Sequence, residues 1–188
     1  MLSDIDKAYI AGFLDGDGCV MFQLVRRKDY VYGFQIRASV VFYQKTKHRA
    51  HLEWIKLQLK YGYLRDRKDG MSEYTIVGIE AVRETLQQLA PFLHLKKPHA
   101  LLAEKIFETL PKRFNPERLI AVGTLVDQFK ELNYSKRRQN TSATLRQFFC
   151  LNRLYIPVTT DSEYREGKDE MVRVQTKIIT RQPPAMPG

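Results

Sequence analysis

Apolar positions along the chain switch from helical to strand spacing and back, twice over, before a longer run of helical spacing sets in. In the first predicted helix the small residues Ala8, Gly12 and Gly16 recur at every fourth position, while Ile10, Phe13 and Leu14 fill the other side. Cys19 to Val25 and Phe34 to Tyr43 then alternate with period two around a polar turn at Arg26 to Asp29, which predicts a long hairpin. Val20, Phe22 and Leu24 on one strand and Phe34, Ile36, Ala38, Val40 and Phe42 on the other make its core face. A helical pattern follows through Leu52, Ile55, Leu57 and Leu59. A second hairpin runs through Tyr63 to Arg67 and Glu73 to Val77, turning at Lys68, Asp69 and Gly70. Further helices are predicted near 80–88, 96–110, 116–132 and 141–151. The order is αββαββα with additional C-terminal helices, an α+β fold whose helices cover one face of a four-stranded antiparallel sheet. We expect one domain over 1–151 and a C-terminal extension over 152–188, with weakly strand-like stretches at 155–160 and 171–179.

Glycine inside a helix costs about 1 kcal/mol relative to alanine. Gly12 and Gly16, four apart, therefore point to the close approach of another helix along that stripe. Gly16 and Gly18 are good helix-ending residues, which holds Asp17 at the carboxyl end of the helix. There the dipole disfavours a bare anion and favours a bound cation, and a hard divalent ion with oxygen ligands is the natural partner. A calcium loop starting at Asp15 is excluded, because Val20 would stand where glycine is required and Arg26 where the closing glutamate belongs. A plain turn after a core helix is the competing reading of these residues taken alone.

The hairpin face opposite the core carries Gln23, Gln35, Arg37 and Ser39, with Arg27 and Tyr30 near the turn. The second hairpin extends that face with Arg65 and Arg67. These side chains can hydrogen-bond to base edges and phosphates. The net charge of +10 over 188 residues, with basic runs at Arg26-Arg27-Lys28, Lys96-Lys97 and Lys136-Arg137-Arg138, makes a polyanion the leading class of partner. There is no apolar run long enough to span a membrane and no basic, apolar leader at the N-terminus. Cys19 and Cys150 are isolated, without metal-ligand spacing, and fit a reducing, intracellular compartment.

The stretch Ile10-Ala11-Gly12-Phe13-Leu14-Asp15-Gly16-Asp17-Gly18 resembles the LAGLIDADG motif of homing endonucleases. The resemblance extends over roughly 4–151 through Gln44-Lys45-Thr46, Tyr63-Leu64-Arg65-Asp66-Arg67, Pro91-Phe92-Leu93, Lys96 and Asn133-Tyr134-Ser135-Lys136. No second motif copy is present: Gly123 to Phe129 has Gln128 where glycine would be needed. The resemblance is therefore to the single-motif, homodimeric branch, whose two saddle-shaped sheets lie in the DNA major groove. It implies a dimer interface at Ala8, Gly12, Phe13 and Gly16, and a divalent ion, Mg²⁺ or Mn²⁺, held by Asp17 and the Gly16 carbonyl. It implies that Gln44 orients the nucleophilic water and that Lys96 neutralises charge on the phosphate. Asp15 is expected to cap or to bond across the dimer. His48 stands where the family has an arginine, with Arg49 adjacent. Base contacts are expected from Gln23, Arg27, Tyr30, Gln35, Arg37, Ser39, Arg65, Arg67, Glu73 and Thr75, with Glu73 accepting from cytosine or orienting an arginine. Backbone phosphate contacts are expected from Lys136, Arg137 and Arg138. The function implied is site-specific, double-strand DNA cleavage at a long pseudo-palindromic site, in an enzyme encoded by an intron. The rival class is a non-cleaving binder on the same scaffold, an intron RNA maturase or a DNA-binding regulator; the presence of Asp17, Gln44 and Lys96 favours cleavage.

Overall fold

A computed structural model describes residues 2–111, 115–134 and 139–154. Lys136, Arg137 and Arg138, and the chain from residue 155 onward with its expected strand-like stretches, lie outside the described residues.

The elements are α1 (Asp4–Asp17), β1 (Gly18–Arg26), β2 (Phe34–Lys45), α2 (Arg49–Leu59), β3 (Tyr63–Asp66), β4 (Met71–Val77), α3 (Ile79–Leu89), α4 (Lys97–Thr109), α5 (Pro116–Leu132) and α6 (Ser142–Leu151). The helix starts follow local chemistry. Ser3 Oγ accepts from the Asp6 amide at 3.1 Å, and Asp4 and Asp6 complement the dipole in the first turn of α1. Asn115 caps α5 ahead of Pro116, and Thr141 with Thr144 forms a capping box on α6.

The four strands form one antiparallel sheet in the order β1-β2-β4-β3. Gly18 pairs with Phe42, Gln23 with Arg37 and Arg26 with Phe34 across β1 and β2, while Val41 pairs with Thr75 and Arg65 with Glu73 on the far side. Strand alternation then sends Val20, Phe22, Leu24, Ile36, Ala38, Val40, Phe42, Tyr74 and Ile76 to one face, where all are buried. Ile10 and Leu14 of α1, Leu52 and Ile55 of α2, Val82 of α3, Ile106 of α4 and Phe129 of α5 are likewise buried and close the core as an α+β fold. Leu57, expected in the apolar stripe of α2, is exposed instead, because it lies two residues past Ile55 and so on the opposite side of the helix. As an edge strand β1 has outward carbonyls to satisfy. Asn133 Nδ2 donates to Val20 O at 3.0 Å, and Asn140 Nδ2 to Leu24 O at 3.1 Å, so the C-terminal helices shield that edge.

Candidate active site and nucleic-acid interface

α1 turns two different sides to its surroundings. Ile10, Ala11 and Leu14 have no exposed surface, whereas Ala8, Gly12 and Gly16 are exposed, with Ile5 83% and Tyr9 54% exposed beside them. A Cβ built on Gly12 or Gly16 would meet nothing within 4 Å. The stripe of small residues is thus present and uncovered by this chain. Phe13, expected at the same interface, is only half-exposed; it stacks on Phe42 at 6.1 Å and meets the His51 ring edge-on at 4.7 Å. His51 in turn stacks on Trp54, and Tyr9 meets both rings. The sequence reading missed this aromatic group beside the stripe, since α1 and α2 are separated by a whole hairpin.

α1 ends where the glycines predict: Gly18 is its C-cap, and the Gly18 amide donates to Leu14 O. Gly18, the residue after α1, has φ −127°, an extended conformation any residue adopts, so it is not a left-handed cap. Its glycine is required by close approach: a Cβ would lie 2.5 Å from Leu14 Cδ1, 2.8 Å from Leu14 O and 3.0 Å from Val41 O. The chain passes from helix into β1 with no room for a side chain.

The two carboxylates at this end have different surroundings. Asp15 is consumed by the chain itself. Its Oδ2 accepts from the His94 and Leu95 amides at 2.8 and 3.1 Å, and its Oδ1 from the Lys96 amide at 2.7 Å. Asp15 therefore caps the turn leading into α4, within one chain and not across a dimer. Nothing in the local sequence signals this, because the partners lie 79 to 81 residues away. Asp17, by contrast, is exposed on the last residue of α1.

Lys96 is only 9% exposed, and its Nζ donates to the Asp15 carbonyl at 2.6 Å, so the ammonium is held against the end of α1. Behind it Asn133 accepts from His99 Nε2 at 3.1 Å and from the Cys19 thiol at 3.7 Å. Burial pushes the Cys19 thiol up, with nearby Lys96 partly offsetting it. Burial pushes His99 down, against the pull of its bond to Asn133. Gln44 follows from register: Gly18 pairs with Phe42, so the end of β2 continues alongside the end of α1. Its Oε1 accepts from the Lys45 amide at 2.8 Å. Arg49 is engaged by Glu53 and, at 3.0 Å, by Asp66, while His48 is exposed at the start of α2.

The donors at the end of α1 suit a hard cation in kind, a carboxylate and backbone carbonyls beside a helix carboxyl end. They do not suffice in number. Among the described residues no three His, Cys, Asp or Glu side chains come together as a metal-binding group.

The outer face of the sheet carries most of the residues expected over base edges. Gln23, Arg27, Arg37, Arg65 and Arg67 are exposed, as is Tyr30, and Gln35 is half-buried. Ser39 and Thr75 depart from expectation: they are 4% and 6% exposed. Both are short side chains on central strands, flanked across the ladders by Met21 and Val77 and by Val41 and Tyr63 respectively. Three arginines are paired with acids. Arg27 meets Asp29 through two bonds of 3.0 and 2.9 Å and holds that carboxyl below the usual range, Arg65 pairs with Glu73 at 3.0 Å, and Arg67 with Asp69 at 2.8 Å. Glu73 thus orients an arginine. Exposed pairs of this kind are worth about 0–1 kcal/mol, so they aim the guanidinium groups without withholding them.

A two-layer α+β domain with a helix that ends in an exposed aspartate, beside a basic sheet face, defines a class, and the chain belongs to the LAGLIDADG endonuclease family, matching it over residues 10–107. It is 37% identical over 147 residues to the DNA endonuclease I-CvuI of Chlorella vulgaris, an alignment spanning 78% of this chain and 90% of that one. To the DNA endonuclease I-CreI of Chlamydomonas reinhardtii it is 39% identical over 139 residues, 73% of this chain and 85% of that one. The crystal structure of the homing endonuclease I-CvuI with its target in the presence of 2 mM Ca matches with a TM-score of 0.77 at 34% identity, covering 81% of this chain and 97% of that one. The archaeal intron-encoded homing endonuclease I-Vdi141I in complex with DNA, 19% identical with a TM-score of 0.69, shares the fold; the match covers 81% of this chain and 99% of that one.

Proposed function

We propose that this chain is a site-specific DNA endonuclease of the homing type, intron-encoded, acting as a homodimer on a long, partly palindromic site. The observation that carries the reading is its similarity to two DNA endonucleases over 85% or more of their lengths. Residues 1–151 form the endonuclease domain of this reading and 152–188 an extension, and the isolated thiols go with a reducing, intracellular compartment. No helix among the described residues is long and apolar enough to cross a membrane.

Two copies meeting along Ala8, Gly12 and Gly16, with Phe13 beside them, bring two Asp17 carboxylates together, and each copy then supplies what the other lacks. Asp17 and the Gly16 carbonyl would hold a divalent ion, Mg²⁺ or Mn²⁺, beside the target phosphate. When bound, the ion supplies charge stabilisation at the phosphate and lowers the pKa of bound water. Gln44 orients the attacking water by hydrogen bonding. Lys96, held at the end of α1, offsets negative charge as the phosphate is attacked. Gln23, Arg27, Tyr30, Gln35, Arg37, Arg65 and Arg67 meet base edges, Glu73 holds Arg65, and Ser39 and Thr75 contribute only where the DNA reshapes their neighbours. Lys136, Arg137 and Arg138 contribute phosphate contacts, which carry affinity without sequence information.

The test is digestion of a randomised long-site duplex library with Mg²⁺, followed by sequencing of the cut ends, with EDTA and Asp17→Asn as controls. Metal-dependent cuts at one pseudo-palindromic site are expected. Sequence-specific binding without cleavage would overturn the nuclease reading in favour of a binder or maturase.

A further inference from the structure

The β1–β2 hairpin carries Arg27, Tyr30 and Gln35 at its outer end, yet the sheet does not support it there. β4 pairs with β2 only from Ser39 to Lys45, whereas β1 and β2 stay paired out to Arg26 and Phe34. The outer half is a two-stranded ribbon, and such ribbons are marginal alone. Among the described residues it also borders a cleft of about 870 Å³ that reaches Ile36 and Leu119.

A clasp on α6 holds it. Alternation places Arg26 on the helix side of the sheet, away from the outer face, where its guanidinium lies 4.7 Å from the Phe34 ring centre and 3.9 Å from that of Phe148. Its Nη1 donates to Gly33 O at 3.2 Å, and Phe34 meets Phe148 edge-on at 5.5 Å. Gly33 has φ +68°, and a Cβ there would lie 2.5 Å from Arg26 Nη1 and 3.3 Å from Phe148 Cε1, so the turn closes onto the clasp only as glycine. The base of the clasp is firm. Leu145 and Phe149 of α6 are fully buried, and the Ser142 amide donates to Asp127 Oδ2 at 2.9 Å.

We infer that Arg26 and Phe148 are positioning residues for base recognition: by fixing the hairpin tip against α6 they set which bases Arg27, Tyr30 and Gln35 meet at the outer ends of the target. This rests on the reading of the chain as a sequence-specific DNA endonuclease. It makes α6, which carries no residue expected to touch DNA, a determinant of specificity.

The first readout needs no DNA. In the full chain the Arg27 amide donates to Gly33 O at 2.9 Å and the Gly33 amide to Tyr30 O at 2.7 Å. Hydrogen exchange at residues 27–35 should accelerate in Phe148→Ala and in Arg26→Gln and return toward the native rate in Phe148→Tyr. The second is selection of bound duplexes from a randomised pool at fixed salt. Base preference at the outermost positions should weaken by about fivefold or more in both variants, with the central positions unchanged. Phe148 is half-buried and Arg26 exposed, so both variants leave the core intact. Unchanged exchange at the tip, or a loss of preference equal at all positions, would overturn the inference. Absence of any sequence preference in the native chain would instead overturn the endonuclease reading, with the exchange result still deciding whether the clasp holds the tip.

Discussion

The two sides of α1 are built on opposite principles, although they share one helix of 14 residues. The inner side is packed to exclusion: Ile10, Ala11 and Leu14 are fully buried, and Asp15 spends both oxygens on three backbone amides. The outer side is left bare, with two glycines facing open space and Asp17 exposed at the tip. Inward residues make this chain stable on its own. Outward ones make sense only when something else arrives, and a carboxylate beside the negative end of a helix is a liability until a cation joins it.

Asp17→Asn probes the outer side most sharply. It keeps shape and loses charge, so cleavage should fall by about a thousandfold or more while DNA affinity and thermal stability hold; persistent metal-dependent cutting would remove Asp17 from the site. Gly12→Leu comes next. Since the glycine meets nothing within its own chain, the monomer should fold as well as before, gaining up to about 1 kcal/mol of helix propensity. Sedimentation should nevertheless show monomers with little cleavage, and an intact dimer would refute the packing role. On the inner side, Asp15→Ala leaves three amides without their carboxylate and should cost about 3 kcal/mol in denaturant unfolding, while the residue-15 carbonyl that accepts from Lys96 Nζ is kept. A loss of activity with unaltered stability would contradict that account.

The smallest effect is in pH. His51 and His99 are both held below the ordinary histidine value by burial. Between that lowered value and about 6.5 the unfolded chain binds more protons than the folded one. Stability therefore falls as pH drops below about 6.5 and is fully present above it. His99→Gln, which retains a donor toward Asn133, should reduce this dependence in thermal melts across pH 5 to 7 and leave the part due to His51; an unaltered slope would assign it elsewhere.

Most of the fold was legible because its signals are local. Period-two alternation found both hairpins, and caps such as Asn115 and Thr141 set helix starts close to where they occur. The candidate site was legible in part. Asp17 stood out by its glycines, and Asp15 was expected to cap or to bond across the dimer; only contacts 79 to 81 residues distant decide for the cap. Gly18 caps α1 as read, but it is glycine because of its close approach to Leu14 and Val41 and not because of a left-handed turn. Ser39 and Thr75 alternated correctly yet lie buried, because alternation gives the face of a strand and not the height of its neighbours.

Sequence by itself determined which residues form helices and strands, which face of the sheet is polar, and that a small-residue stripe leads to an acidic helix end. These follow from periodicity, from conformational preference and from charge, all carried within a few residues of one another. Tertiary structure alone decided which amides Asp15 caps, that Lys96 is held at the end of α1, and that Arg26 packs against both Phe34 and Phe148. Each of those outcomes depends on where a distant element comes to rest. The burial that places it there is non-directional, so no local pattern in the chain records it.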